Sequence, residues 1–221
     1  MIRAVGFDLD DTLAVTEVDR ELLLSRATEA AGVSGKIDRQ AYLDAHRRHS
    51  GSEGRRPVFE ALVGTEKAEA LADAYREGIE DALTPVEGAE AVVAELRRRY
   101  RVGLLTDGPE RTQRSKLRRL GWEDAFDAVV VTGGIGTPKP DPAAFAALLE
   151  SLGVDATDAA YVGDHPERDI AGAAAAGLWP VQVRYEGGPE THPAAAATVS
   201  RSDLRSLPGL LEALGDGADD A

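Results

Sequence analysis

The sequence predicts an α/β fold: a parallel sheet with helices on both faces, interrupted after its first strand by an inserted helical cap. Three observations carry that reading. Ile2, Ala4, Val5, Gly6 and Phe7 make a short, nearly continuous apolar run, the pattern of a strand buried on both faces of a parallel sheet. From Gly88 onward helical and strand-like stretches alternate, which calls for crossover connections. Between the first strand and the second lie roughly seventy residues of helical periodicity, far more than a connection between neighbouring strands needs.

The first strand runs into Asp8-Leu9-Asp10-Asp11-Thr12-Leu13. Asp8 and Asp10 are two apart, so as the chain leaves the strand both can turn toward the crevice at the carboxyl end of the sheet, where ligands of open α/β sheets bind. Two close carboxylates repel and call for a divalent cation, a shared proton, or both. Apolar positions at three-to-four spacing, such as Leu22, Leu23, Ala27 and Ala30, then predict helices over 17–31, 38–49, 57–63 and 66–82. Residues 15–83 are therefore read as the cap, and Thr84-Pro85 and Gly88 mark the return to the core.

In the core, helices over 89–99, 109–120, 142–152 and 168–176 precede strands over 102–105, 128–131, 159–162 and 180–183. Gly121, Gly153 and Gly177 each sit just past a helix, where a left-handed closing residue costs glycine least. A short strand near Thr198-Val199 and a helix over 202–214 complete a core of residues 1–14 and 84–214. The acidic tail, 215–221, is expected to be disordered.

The strand ends carry the chemistry. One runs into Thr106-Asp107-Gly108, another into Gly163-Asp164-His165, with Asp169 five residues past Asp164. The strand over 128–131 leads through Gly133-Gly134-Ile135-Gly136, a flexible loop and not a dinucleotide fingerprint, to Lys139 on a loop stiffened by Pro138, Pro140 and Pro142. Nucleophile, acid/base, hydroxyl donor, cation and metal carboxylates are then all present, the parts of metal-assisted phosphoryl transfer.

These four motifs, in this order over residues 8 to 169, resemble those of the haloacid dehalogenase-like superfamily of aspartate-nucleophile phosphohydrolases, and the likeness covers nearly the whole chain. The resemblance implies a Rossmann-like core, with Asp8 as nucleophile and Asp10 as general acid/base. It implies that Thr106 hydrogen-bonds the phosphoryl group and that Lys139 steadies the charge on Asp8 and phosphate. Asp164 and Asp169 would serve the metal, which all-oxygen ligands from Asp8, the Asp10 backbone carbonyl and Asp164 identify as Mg²⁺. The phrase from Thr106 through Gln113, Lys116, Leu117, Leu120 and Gly121 looks most like phosphatases of small phosphomonoesters. Most relatives have Asn where Asp107 stands, which puts substrate detail in doubt but not the chemistry. Asp107 and, at the start of the next helix, Arg111 are further substrate-binding candidates.

Composition bounds the rest. Hydrophobic residues make up 43% and charged residues 29% of 221, a soluble globular balance. No apolar run is long enough for a membrane span, and no charged-then-apolar leader is present. Cysteine is absent, which removes disulfides and thiolate chemistry together, and the default location is the cytoplasm. The net charge of −14 argues against a nucleic-acid partner, since phosphate backbones need a basic face. Only four of the 25 basic residues are lysines (Lys36, Lys67, Lys116 and Lys139), as in a high-salt proteome or equally a GC-rich genome.

The expected partner is a small phosphate ester, and the expected assembly a monomer or homodimer. His46 and His49, with Arg55 and Arg56, read as a solvated basic end of a cap helix; His165 reads as loop structure; Thr12 is either a loop-fixing or a turn hydroxyl. The competing functions are a phosphomutase of the same superfamily, a 2-haloacid dehalogenase, against which Asp10 argues, and a non-catalytic binding module, against which the presence of every motif residue argues.

Overall fold

The computed structural model describes residues 1–49 and 54–217. Its strands are β1 (Ala4–Phe7), β2 (Ala14–Thr16), β3 (Leu83–Pro85), β4 (Arg101–Thr106), β5 (Ala128–Val131), β6 (Ala159–Gly163), β7 (Trp179–Arg184) and β8 (Ala197–Ser200). Its α-helices are α1 (Arg20–Ala30), α2 (Arg39–His49), α3 (Arg56–Val63), α4 (Thr65–Asp81), α5 (Ala89–Leu96), α6 (Glu110–Leu120), α7 (Thr132–Ile135), α8 (Pro142–Leu152), α9 (Gly172–Ala175) and α10 (Leu207–Gly217). These elements divide into two compact units, one of residues 1–15, 85–107 and 121 onward, the other of 16–84 and 108–120.

The first unit is built on a six-stranded sheet in the order β5-β4-β1-β6-β7-β8, every pairing parallel, flanked by helices. β1 lies in the middle because its side chains are apolar on both faces: Ala4, Val5 and Phe7 are wholly buried. The chain adds strands to one side of β1 and then to the other, so the order reverses at β1, where a ligand crevice forms in open sheets. Helix α8 presses Phe145, Leu148 and Leu152 onto the sheet beside Leu105, Val130 and Tyr161. The contact is close enough that a Cβ on Gly6 or Gly103 would come within 2.6 or 2.7 Å of Leu148. Asp141 caps α8 by accepting from the Ala143 N–H at 2.9 Å, with Pro142 in the first turn where its missing N–H costs nothing.

The second unit is helical. α1, α2, α3 and α4 enclose Leu23, Leu24, Tyr42, Phe59, Leu71 and Tyr75. Asp19 caps α1 through the N–H groups of Glu21 and Leu22. The crossover helix α6, expected with the sheet, belongs to this unit: Ser115 donates to the Glu80 carboxylate at 2.8 Å and Arg119 to the Glu80 carbonyl at 3.1 Å.

Four local features differ from the sequence expectation. β2 and β3 pair as a two-stranded ribbon, too short for an alternating pattern to register. Residues 132–135 make one helical turn instead of a loop, closed by Gly136 at φ 74°. The helix expected over 168–176 opens as a π-turn over Pro166–Ala171, with the Ile170 N–H reaching the His165 carbonyl at 3.3 Å. Helix α10 continues through Gly217, anchored by the buried Leu207 and Leu211, so residues 215–217 of the expected tail are helical; residues 218–221 lie outside the described part.

Candidate active site

At the carboxyl edge of the sheet β4, β1 and β6 stand side by side, so Thr106, Asp8 and Asp164 leave adjacent strands. The Asp8 N–H donates to the Val162 carbonyl at 2.9 Å, carrying the β1–β6 ladder one residue past the strand. The chain then folds back on itself: Leu13 and Ala14 both donate to the Leu9 carbonyl at 3.0 Å, and Asp11 donates to Ala14. Asp11 takes φ 62°, a left-handed conformation that aspartate accepts more readily than most residues. Leu9, Thr12 and Leu13 are buried by this turn, which fixes Asp8 inside and leaves Asp10 half-buried.

Lys139 is the hub. Its side chain is 2% exposed, and its ammonium donates to Asp8 Oδ1 at 2.8 Å, Asp169 Oδ1 at 2.6 Å and the Tyr161 hydroxyl at 3.1 Å. Three acceptors use all three ammonium protons. Tyr161 in turn donates to the Leu105 carbonyl at 2.9 Å. The Lys139 N–H donates to Asp107 Oδ1 at 3.1 Å, so Asp107 holds the lysine loop in place.

Asp169 reaches the hub because of the π-turn. Its second oxygen accepts from the His165 N–H at 2.9 Å, and it is packed so tightly on Gly163 that a Cβ there would lie 2.5 Å from its Cβ and Cγ. Asp164 accepts from the Tyr185 hydroxyl at 3.2 Å and, at the long distance of 3.5 Å, from Thr12. The Arg201 guanidinium lies 3.8 Å from the centre of the Tyr185 ring.

The electrostatics follow from this packing. Asp8, Asp164 and Asp169 each place a carboxylate oxygen within 4.8 Å of the others. Burial pushes the Asp8 carboxyl up to about 8, against the pull of Lys139 and with added repulsion from Asp169 and Asp10. Asp164 is pushed up to about 6 by burial, Asp169 and Asp11. Burial works against the Lys139 ammonium, but Asp169 and Asp8 outweigh it and hold its pKa well above the usual lysine value. The raised Asp8 and Asp164 values mean that one ammonium is not enough to keep all three buried carboxyls ionised. An all-oxygen cluster of this kind fits a hard divalent cation, which would favour the ionised forms.

Of the residues singled out in the sequence, Asp8, Asp10, Thr106, Asp107, Lys139, Asp164 and Asp169 all belong to the sheet unit, and Thr106 is the buried last residue of β4. Arg111 is exposed on α6 in the helical unit. His165 serves its own loop, its ring accepting from the Arg168 N–H at 3.2 Å. Two residues escaped sequence reasoning. Tyr161 sits in an apolar strand, where its hydroxyl, two residues before Gly163-Asp164, was the only signal; Tyr185 follows β7 with no motif around it.

Comparison with known proteins places this architecture. A family model described as haloacid dehalogenase-like hydrolase matches residues 2–177. The chain is 40% identical over 155 residues to a phosphoserine phosphatase of Thermus thermophilus, covering 69% of this chain and 61% of the relative's length. It is 31% identical over 198 residues to a glyceraldehyde 3-phosphate phosphatase of Methanopyrus kandleri, covering 83% and 84%. A crystal structure of a HAD phosphatase from Thermococcus onnurineus superimposes with a TM-score of 0.74 at 26% identity, over 95% of this chain and 98% of that one. With a family match over most of its length and the same fold in a solved structure, the chain belongs to the haloacid dehalogenase-like hydrolases.

Proposed function

We propose that the protein is a phosphatase that hydrolyses a small phosphomonoester through a phosphoryl group carried on Asp8. The observation that carries this reading is the grip of Lys139 on Asp8 beside Asp164 and Asp169: a buried carboxylate held in one orientation, with a cation on one side and an acidic cluster on the other. The named activities of the two relatives, both phosphatases of small esters, support it.

The steps use this chain's own groups. Lys139 occupies one oxygen of Asp8, and the other attacks phosphorus as the bond to the leaving alkoxide breaks. Asp10 gives that alkoxide its proton, then takes one from the water that attacks the aspartyl-phosphate, freeing phosphate and restoring Asp8. Thr106 donates to a phosphoryl oxygen, and Lys139 offsets the negative charge that gathers there. Asp8, Asp164, the Asp10 carbonyl and Asp169 would hold Mg²⁺, Asp169 through lone pairs left after its bonds to Lys139 and His165. When bound, that ion would draw charge from the phosphoryl oxygens and make phosphorus easier to attack. Residues 15–83 serve as the cap that sets substrate choice.

The test is release of inorganic phosphate from a panel of small esters with Mg²⁺ and with excess chelator. Metal-dependent release supports the proposal. Return of the phosphoryl group to a second position of the substrate, with no free phosphate, would make the protein a mutase. Unchanged rates in chelator would remove the metal from the mechanism.

A further inference from the structure

The sheet register brings two residues outside the sequence motifs to the edge where Asp164 stands. β6 and β7 pair with Gly163 opposite Gln182, and β7 and β8 with Arg184 opposite Ser200. The next residues, Tyr185 and Arg201, therefore leave β7 and β8 side by side. The Arg201 guanidinium lies 3.8 Å from the centre of the Tyr185 ring, and its Nη1 donates to the Asp11 carbonyl at 3.4 Å. Gly188 closes on the same ring: its N–H donates to the Tyr185 carbonyl at 3.1 Å, and a Cβ there would come within 2.8 Å of a ring carbon. A stacked cation and a backbone pressed close hold the half-buried ring in one place.

Held in this way, the Tyr185 hydroxyl donates to Asp164 Oδ2 at 3.2 Å. The Asp164 main chain is tied from the same strand. Gln182 is wholly buried and donates to the Asp164 carbonyl at 3.4 Å and to the Glu190 carbonyl at 3.0 Å. Its side-chain oxygen accepts from the His192 N–H at 2.7 Å. One amide thus joins the Asp164 backbone to the loop that carries Tyr185. An ionised carboxylate has about four lone-pair sites, and the bond from Tyr185 with the long contact from Thr12 leaves some of them for a cation. Packing against Arg201 and Gly188 needs only the ring, which phenylalanine would also supply. The hydroxyl is the part that acts on the acidic cluster.

We propose that Tyr185, set by Arg201, Gly188 and Gln182, is a positioning residue that fixes the Asp164 carboxylate in the orientation that receives the divalent cation. This role rests on Asp164 being a metal ligand in the proposed phosphatase, and it acts on metal affinity before any ester is bound. A carboxylate already oriented loses less rotational freedom when the ion arrives, which is how hydrogen-bonded partners of metal ligands raise affinity.

The experiment titrates the full chain, without ester, with Mn²⁺, which like Mg²⁺ favours octahedral oxygen coordination and whose free ion is counted by electron paramagnetic resonance. Wild type is compared with Tyr185→Phe and Arg201→Gln, and Asp164→Asn marks the binding that belongs to this cluster. The role requires Tyr185→Phe to bind Mn²⁺ roughly tenfold or more weakly than wild type, with Arg201→Gln between the two. Should Tyr185→Phe not fold, Arg201→Gln carries the same comparison. In turnover, the Mg²⁺ concentration for half-maximal rate should rise by a similar factor while KM for the ester changes less. Equal Mn²⁺ affinity in wild type and variants, even with a lowered metal-free melting temperature, would make the hydroxyl purely structural and overturn the proposal. Failure of wild type to bind Mn²⁺ would overturn it as well. If wild type bound Mn²⁺ more tightly than Tyr185→Phe yet released phosphate from no ester, the phosphatase reading would fail and the positioning role would stand.

Discussion

The Lys139 ammonium lies 2.8 Å from the carboxylate of Asp8, a residue 131 positions earlier in the chain. Two features of the fold make that contact. β1 delivers Asp8 at the centre of the sheet, where the strand order reverses, and the loop after β5 and α7 is held by Asp107 so that Lys139 points inward. The same ammonium binds Asp169 and Tyr161, so one side chain ties together the ends of β1 and β6.

Replacing Lys139 with Met should therefore damage both stability and chemistry. It strands two buried carboxylates, which typically costs about 3–5 kcal/mol. Urea unfolding should show that loss, and added Mg²⁺ should recover part of it by neutralising Asp8 and Asp169. Hydrolysis should stay low even at saturating Mg²⁺, because the ion does not replace the ammonium on Asp8.

Tyr161→Phe isolates a smaller effect. The ring keeps its edge-on packing with Phe145 at 5.1 Å, while Lys139 loses one acceptor and the buried Leu105 carbonyl loses its donor. A loss of about 1–3 kcal/mol in unfolding free energy is expected, with a fall in kcat larger than any change in KM. Wild-type stability in the variant would mean that the hydroxyl bridge is not formed.

Two glycines on the sheet separate packing from function. Gly103→Ala meets Leu148 and Leu152, far in kind from any polar group, and should cost about 1–3 kcal/mol while a folded sample keeps its turnover. Gly163→Ala meets Asp169, which is fixed by Lys139 and the His165 N–H, so it should lose turnover in excess of its stability loss. Thermal melts and initial rates on both variants check this; equal turnover would mean that Asp169 moves without consequence.

Asp127 supplies a pH-dependent term away from the site. Burial opposes its charge, but the Val102 N–H at 2.8 Å and Arg97 at 2.9 Å prevail and lower its pKa below the usual carboxylate value. A lowered folded pKa stabilises the protein above the unfolded value and loses that contribution as pH falls through the folded one. Asp127→Asn should thus be destabilised by about 1–2 kcal/mol at neutral pH, with the gap to wild type closing in acid below about pH 4. A pH-independent gap would assign the loss to packing.

The sheet was legible because its strands obey a simple rule: Ala4 to Phe7, Leu104-Leu105 and Tyr161-Val162 are apolar on both faces and stop at polar residues. The delivery of Asp8, Thr106 and Asp164 to one edge follows from parallel strands alone, whereas Lys139 also needs its loop held by Asp107. The π-turn that brings in Asp169 was not legible, since a single wide turn leaves the helical pattern of 166–171 unchanged. Neither was the attachment of α6 to α4, which depends on Ser115 and Arg119 meeting Glu80 across long sequence separation. The paired roles of Tyr161 and Tyr185 lay hidden because a tyrosine in a strand is ordinary core until its hydroxyl is seen to have a partner.

The central claim is that Asp8 carries the phosphoryl group. Enzyme in excess over a fast-reacting ester, mixed with Mg²⁺ and quenched in acid within one turnover, should yield a peptide spanning Asp8 heavier by one phosphoryl group. Fragmentation should place that group on Asp8, hydroxylamine should remove it, and Asp8→Asn should abolish both the adduct and the release of phosphate. Phosphate released at full rate by a folded Asp8→Asn protein, or a phosphoryl group found on another residue, would contradict the account.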